Sequence, residues 1–332
     1  MGVKPIVSVA QLKKWFPVQK SFLERLFARE KTHVRAVDGV DLVVNAGETL
    51  ALVGESGSGK TTLGKLILRL IDPTSGKIYF NGKDITNVTG ESLRRLRRRM
   101  QIIYQDPYAS LNPRMTIGEI LEHPLKIHKI VSTKQEAKEQ ILNVLEKVGL
   151  TPPDEFYNLY PRNLSGGQRQ RVAIARAIIL KPELIVADEP VSMIDVSLRA
   201  SILNLMIELK SELNLTYIFI THDLAVAKYI ADNIAVMYLG KIVEKAPSIE
   251  LFTNPLHPYT QALLSAIPIP KPLHERRRRL SISGEISSPI NIPTGCRFHP
   301  RCPFSRERCI RDEPSFIEVC REHHVACWLT TK

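Results

Sequence analysis

Apolar and polar residues alternate with a period of two through VRAVDGVDLVV and then give way to AGETLALVG, a turn followed by an unbroken apolar run. Residues 6–16 and 34–53 therefore read as strands and turns, the last of them a buried strand. From Leu93 to Met100 the period changes: LRRLRRRM sets Leu93, Leu96 and Met100 on one helical face and arginines on the other. KQEAKEQILNVLEKV, residues 134–148, predicts a second amphipathic helix. TPPDEFYNLYP interrupts the pattern with three prolines before a long helix that starts near Ser165. The apolar runs LIVA (184–187) and YIFIT (217–221) predict two buried strands, separated by a helix over roughly 197–212. Strands alternating with helices imply an α/β fold with a largely parallel sheet covered on both faces.

After about residue 245 the character changes. Pro247, Pro255, Pro258, Pro268, Pro270 and Pro272 crowd the chain, four arginines occupy 276–279, and all five cysteines follow. A boundary near 245 and a small loop-rich unit beyond it are expected; no internal repeat is visible. Between the first two strands VQKSFLERLFAREKTH predicts a short surface helix with Phe22, Leu23, Leu26 and Phe27 along one face.

The 332 residues carry 46 Lys+Arg against 34 Asp+Glu, a net charge of +12 that favours an anionic partner such as nucleotide, nucleic acid or a membrane face. RRLRRR and ERRRR lack interleaved aromatics and any reader module, so no specific nucleic-acid partner is expected. No run of about 18 apolar residues and no signal-peptide leader appears, which predicts a cytosolic chain without a transmembrane segment. In a reducing compartment, five clustered cysteines favour metal ligation over disulfides.

GESGSGKTT, Gly54 to Thr62, lies between the strand TLALV and the helical run LGKLILRL. That is the setting of a phosphate-binding loop, in which glycines let backbone N–H groups face phosphate and the helix N-terminus adds positive potential. Gly54, Glu55, Ser56, Gly57, Ser58, Gly59, Lys60, Thr61 and Thr62 are the candidate residues, Lys60 for β- and γ-phosphate charge and Thr61 for Mg²⁺. LIVADEP delivers Asp188 toward Mg²⁺ and Glu189 as a general base. LSGGQRQRVAIARA puts Ser165 at an N-cap and Gly166, Gly167 and Gln168 at the opening of a helix, a second anion site. One chain's phosphates are already surrounded by Gly54 to Thr62, so this second site is expected to serve a nucleotide held by another subunit.

With the glycine-led motif following the phosphate loop and preceding Asp188 and Glu189, the three motifs closely resemble the ATP-binding cassette (ABC) ATPases. The resemblance covers the first 245 residues and implies a P-loop nucleoside triphosphatase with a mixed, largely parallel sheet, an antiparallel β subdomain and a helical signature subdomain over about 107–170. It implies that Gln105 in YQDP reaches Mg²⁺ and the attacking water, that His222 in FITHD contacts the γ-phosphate, and that Asp195 in SMIDVS crosses a dimer interface. It also implies that Phe16 in KKWFP stacks on adenine, with Trp15 as a neighbour in competition. Catalysis by Glu189, His222, Lys60 and Gln105 follows, on ATP with Mg²⁺ held through Thr61, Gln105 and Asp188.

NPLHPYTQALLSAIP and SPINIPTGCRFHPRCP resemble the C-terminal extension of ATPase subunits from oligopeptide and dipeptide importers, here residues 246–332. This implies peptide import powered by nucleotide-driven dimer closure. The implied partners are a sister ATPase (a homodimer in isolation), two membrane permeases and an external binding protein, at the cytoplasmic face of the membrane. Nickel or oligosaccharide cargo is the alternative within the same importer class; a soluble ABC ATPase of DNA repair or translation is the rival class, and the long coiled-coil insertion or tandem cassette it would carry is not present.

By spacing alone the cysteines could hold tetrahedral zinc or an iron–sulfur cluster, with His299, His323 and His324 as competing ligands. The importer resemblance implies a structural four-iron cluster on Cys296, Cys302, Cys309 and Cys327, with Cys320 a spare thiol or alternative ligand.

Overall fold

The computed structural model describes residues 4–18, 33–267 and 288–330. The expected helical face at Phe22, Leu23, Leu26 and Phe27 and the arginine run 276–279 lie outside the described residues. The strands are β1 (Pro5–Pro17), β2 (His33–Asn45), β3 (Thr49–Val53), β4 (Ser75–Phe80), β5 (Lys83–Asp84), β6 (Met100–Ile103), β7 (Leu184–Asp188), β8 (Thr216–Thr221), β9 (Asn233–Tyr238), β10 (Lys241–Pro247), β11 (Ile317–Cys320) and β12 (His323–Val325). The chain divides into two compact units.

One unit comprises Asn45–Glu48 and Asn87–Ile220. Its strands β6, β7 and β8 are parallel, with Ile102 opposite Val186 and Val186 opposite Ile218. Every residue of β7 and β8 is buried, which is why both read as continuous apolar runs and not as alternating ones. Helices fill the rest. Thr116 and Glu119 form a capping box that starts Ile117–Ile127, and Thr133 caps Lys134–Lys147. Leu121, Leu125, Ile141 and Leu145 are the buried faces of those two helices. One expectation needs correction. The arginine-rich helix spans Gly90–Arg99 and buries none of its residues, whereas Met100 opens β6 and is buried there. The residues MQII switch to strand period just where LRRLRRR ends, and a single shared methionine satisfied both patterns.

The other unit gathers the described residues of Pro5–Val44, Thr49–Thr86 and Thr221–Lys332. A four-stranded sheet in the order β2-β1-β4-β5 is antiparallel at β1/β4 and β4/β5. Beside β3, β9 runs parallel, and β10 and then the β11–β12 hairpin add antiparallel to it. Strand β10 runs through residue 245 to Pro247, and short helices Ser248–Thr253 and Pro258–Ser265 follow. Tyr238, Tyr259 and Phe298 interlock at its core, with ring centroids 4.8–5.4 Å apart. Among the described residues no helix is long and apolar enough to cross a membrane.

Candidate functional site: a phosphate loop, an acidic strand end and a glycine-led helix

The loop from Gly54 to Gly59 turns β3 into the helix Lys60–Ile67. Two of its glycines, Gly54 and Gly59, are sterically required. A Cβ on Gly54 would stand 2.2 Å from the Met237 carbonyl oxygen and one on Gly59 2.1 Å from that of Ala36, and both have positive φ. The Lys60 ammonium curls over the loop, donating to the carbonyls of Gly54 (2.7 Å) and Glu55 (2.9 Å) and lying 3.3 Å from Ser58 Oγ. Lys60 and Ser58 are buried, and Thr61 and Thr62 follow in the first helical turn. A buried cation, a helix start and a glycine-forced backbone make a site for an anion.

In the same unit, β1 separates two neighbouring aromatics. Trp15 Nε1–H donates to Asp38 Oδ1 at 2.9 Å, and the Arg35 guanidinium lies 4.8 Å from the Trp15 ring. Phe16 stays exposed, with Lys14 at 5.1 Å from its ring. His222 is exposed just beyond β8, and Asp223 next to it caps Leu224–Ile230 through the N–H groups of Ala225 and Val226.

In the helical unit β7 ends on buried Asp188. Glu189 follows with φ +47°, a conformation that costs a non-glycine residue energy and is held here by Glu189 N–H donating to the Ile220 carbonyl and Ser192 Oγ donating to that of Glu189. Gln105 Nε2 donates to Glu189 Oε2 at 3.1 Å, so two of the four predicted catalytic residues meet. Asp106 next to Gln105 caps the short helix Pro107–Ser110.

Ser165 and Gln168 form a reciprocal capping box at the start of Gly166–Ile178, as the serine-led motif predicts. Gly167 is crowded, since a Cβ there would come within 3.2 Å of Leu198. Two arginines tie this helix to Pro107–Ser110: the Arg169 guanidinium stacks 3.9 Å from the Tyr108 ring, and Arg176 donates to the Ser110 carbonyl. Asp195 is exposed at the N-terminus of Val196–Leu213.

Cys296, Cys302, Cys309 and Cys327 line one small cavity with Phe304 and Trp328. Burial pushes the Cys296 and Cys327 thiols up to about 11 and raises that of Cys302. Among the described residues, the group of ligand atoms lying within 4.8 Å of one another is instead Glu250, Cys320 and His323.

Sequence reasoning missed the polar anchors of the tail. Arg297 donates to Asp38 Oδ2 at 2.5 Å; burial alone would raise the Asp38 pKa, but Arg297 and Trp15 hold it below the usual value. Arg301 pairs with Glu55 of the phosphate loop. Glu244, fully buried on β10, accepts from the backbone N–H groups of Leu256 and His257 and lies 2.8 Å from His323 Nε2. Both arginines stand inside CRFHPRC, where cysteine spacing was the signal that drew notice.

These parts, in this fold, are those of an ATP-binding cassette, and the chain belongs to the ABC transporter family of ATPases. Residues 37–192 match the family described as ABC transporter, and residues 243–309 the one described as oligopeptide/dipeptide transporter, C-terminal region. The oligopeptide transport ATP-binding protein AppF of Bacillus subtilis is 48% identical over 326 residues, covering 98% of this chain and 97% of that one. The dipeptide transport ATP-binding protein DppF of Haemophilus influenzae is 48% identical over 324 residues, 98% and 96% of the two chains. Among solved structures, the dimeric post-hydrolysis state of the ATP-binding cassette MJ0796 bound to ADP and Pi aligns with a TM-score of 0.63 at 29% identity, covering 73% of this chain and 98% of that one.

Proposed function

We propose that this chain is the ATP-hydrolysing subunit of a peptide importer, residues 1–245 forming the nucleotide-binding domain and 246–332 an importer-type extension. The observation that carries the reading is near-full-length identity of 48% to peptide-transport ATP-binding proteins, tail included. The loop Gly54–Thr62 binds the phosphates of ATP, Lys60 leaving the carbonyls of Gly54 and Glu55 to neutralise them, and Phe16 supplies the exposed ring for adenine. Thr61, Gln105 and Asp188 are the residues that would hold Mg²⁺, which neutralises phosphate charge when bound. Glu189 takes the proton of the attacking water, oriented by Gln105, while His222 contacts the γ-phosphate. Ser165, Gly166, Gly167 and Gln168 face the nucleotide of a sister ATPase, with Asp195 at the dimer interface; this is supported by the dimeric state of the related cassette. Closure around two ATP molecules drives two permeases at the cytoplasmic membrane face, fed by an external binding protein.

In the tail, Cys296, Cys302, Cys309 and Cys327 would hold a [4Fe–4S] cluster. Their lining of one cavity supports that reading, and because thiols must be deprotonated to ligate, proton release would accompany cluster binding. The cluster would supply a covalent cross-link to a segment with few buried apolar side chains, with Cys320 outside it.

The test is reconstitution with the cognate permeases and measurement of phosphate release. Peptide-loaded binding protein is expected to stimulate hydrolysis, and Glu189→Gln to lower it by about 10²–10⁴-fold while ATP still binds. Stimulation by a sugar- or nickel-loaded binding protein and not by a peptide-loaded one would overturn the cargo. A wild-type chain that releases no phosphate would overturn the enzyme.

A further inference from the structure

We infer that Arg301 of the cysteine-rich tail is a positioning residue for the phosphate loop, acting through Glu55; the inference rests on the reading of that loop as the ATP site. Glu55 is the second residue of the loop and is held at three points. Its N–H donates to Tyr259 Oη at 2.8 Å, its carbonyl accepts from Lys60, and its carboxylate accepts two bonds from Arg301, Nη1 to Oε2 at 2.7 Å and Nη2 to Oε1 at 3.0 Å. That fork-to-fork pairing fixes orientation as well as charge.

Arg301 is itself held in place. Its guanidinium lies 5.8 Å from the Tyr238 ring and 5.9 Å from that of Phe298, Nη1 is 3.4 Å from the Tyr238 hydroxyl, and the residue is only 9% exposed. The turn that carries it is closed by His299 N–H on the Cys296 carbonyl and Arg301 N–H on that of Phe298. So the reach of the guanidinium is set by the fold of the cysteine tail.

A carboxylate in a loop built for polyphosphate is an electrostatic liability. Unpaired, Glu55 repels the incoming anion and leaves the peptide that Lys60 grips free to turn. Arg301 neutralises the one and fixes the other, from a side chain 246 positions away along the sequence. It touches no reacting atom, and its effect belongs to nucleotide affinity and not to the chemical step.

The experiment uses the full-length chain with its metal content intact and reads both KM and kcat for ATP hydrolysis and the Kd of ATP by calorimetry. Arg301→Ala is expected to raise KM and Kd about tenfold with kcat changed little, the size expected for losing a charge-assisted pair. Arg301→Lys is expected to recover part of the affinity. In a Glu55→Gln background the Arg301→Ala change is expected to add nothing, because there is no longer a charge to neutralise. Equal losses with and without the Glu55→Gln change, or a loss confined to kcat, would overturn the proposal. Thermal unfolding of each variant accompanies the kinetics, and an affinity loss that tracks only lost folded protein would also overturn it. Absence of hydrolysis in the wild type would fault the parent reading, while the calorimetric comparison still decides the role of Arg301.

Discussion

The strands β7 and β8 and the tail 288–330 are held together by different forces. In β7 and β8 every position is buried, and a parallel ladder runs from Leu184 opposite Thr216 to Asp188 opposite Ile220. Among the tail's described residues the buried apolar side chains are Phe298, Cys309, Val325, Ala326 and Cys327, while Arg297, Arg301 and His323 are buried beside them. A segment with so little apolar surface is fixed by charged side chains that reach into its neighbours: Arg297 to Asp38, Arg301 to Glu55, His323 to Glu244. The difference teaches where each region is vulnerable. The strands fail gradually, by lost volume; the tail fails abruptly, when one anchor is left buried without its partner.

The largest expected effect breaks the tail without touching the strands. Glu244→Ala strands two backbone N–H groups and the His323 imidazole, and is expected to cost about 3–5 kcal/mol. Hydrogen exchange should register it as lost protection in 323–326 and 256–259 with β7 and β8 amides unchanged. Acid gives the next largest effect. Burial lowers the His257 pKa from an ordinary 6.5 to about 4, so between those values the unfolded chain binds a proton that the folded one refuses. Stability is therefore expected to fall as pH drops through that window, by about 3 kcal/mol in all. His323 has the opposite sign. Burial would lower its pKa, but Glu244 and Glu250 raise it, so its contribution is complete below 6.5 and is lost only as pH rises past its folded value. The acid loss is expected to disappear in His257→Gln. The smallest effect tests the strands: Ile218→Val is expected to cost about 1 kcal/mol in denaturant midpoint and to leave tail protection intact.

The same contrast explains what could be read in advance. β7, β8 and the phosphate loop are legible because continuous apolar runs and a glycine-rich GESGSGKTT set between a strand and a helix are local properties of the chain. The acidic pair at 188–189 and the N-cap at Ser165 are legible for the same reason. The anchors were not. Glu55 was counted as one of the loop's candidate residues without any hint of a partner, because a pairing across 246 residues leaves no period in either segment. Glu244 sits in IVEKAP as one charged residue among many, and only the arrival of the turn 256–257 and of β12 reveals why it is buried. Trp15 and Phe16 were adjacent rivals in sequence; the Asp38 carboxylate that engages Trp15 comes from β2, which no reading of KKWFP contains.

Arg169 and Arg176 lie seven residues apart on one helix, close to two full turns, and so project from the same face. One stacks on Tyr108 and the other holds the Ser110 carbonyl, gripping both ends of a single helical turn. The glycine-led helix and the 107–110 turn are thus tied at two points, and Gln105, whose amide donates to Glu189, stands two residues before that turn.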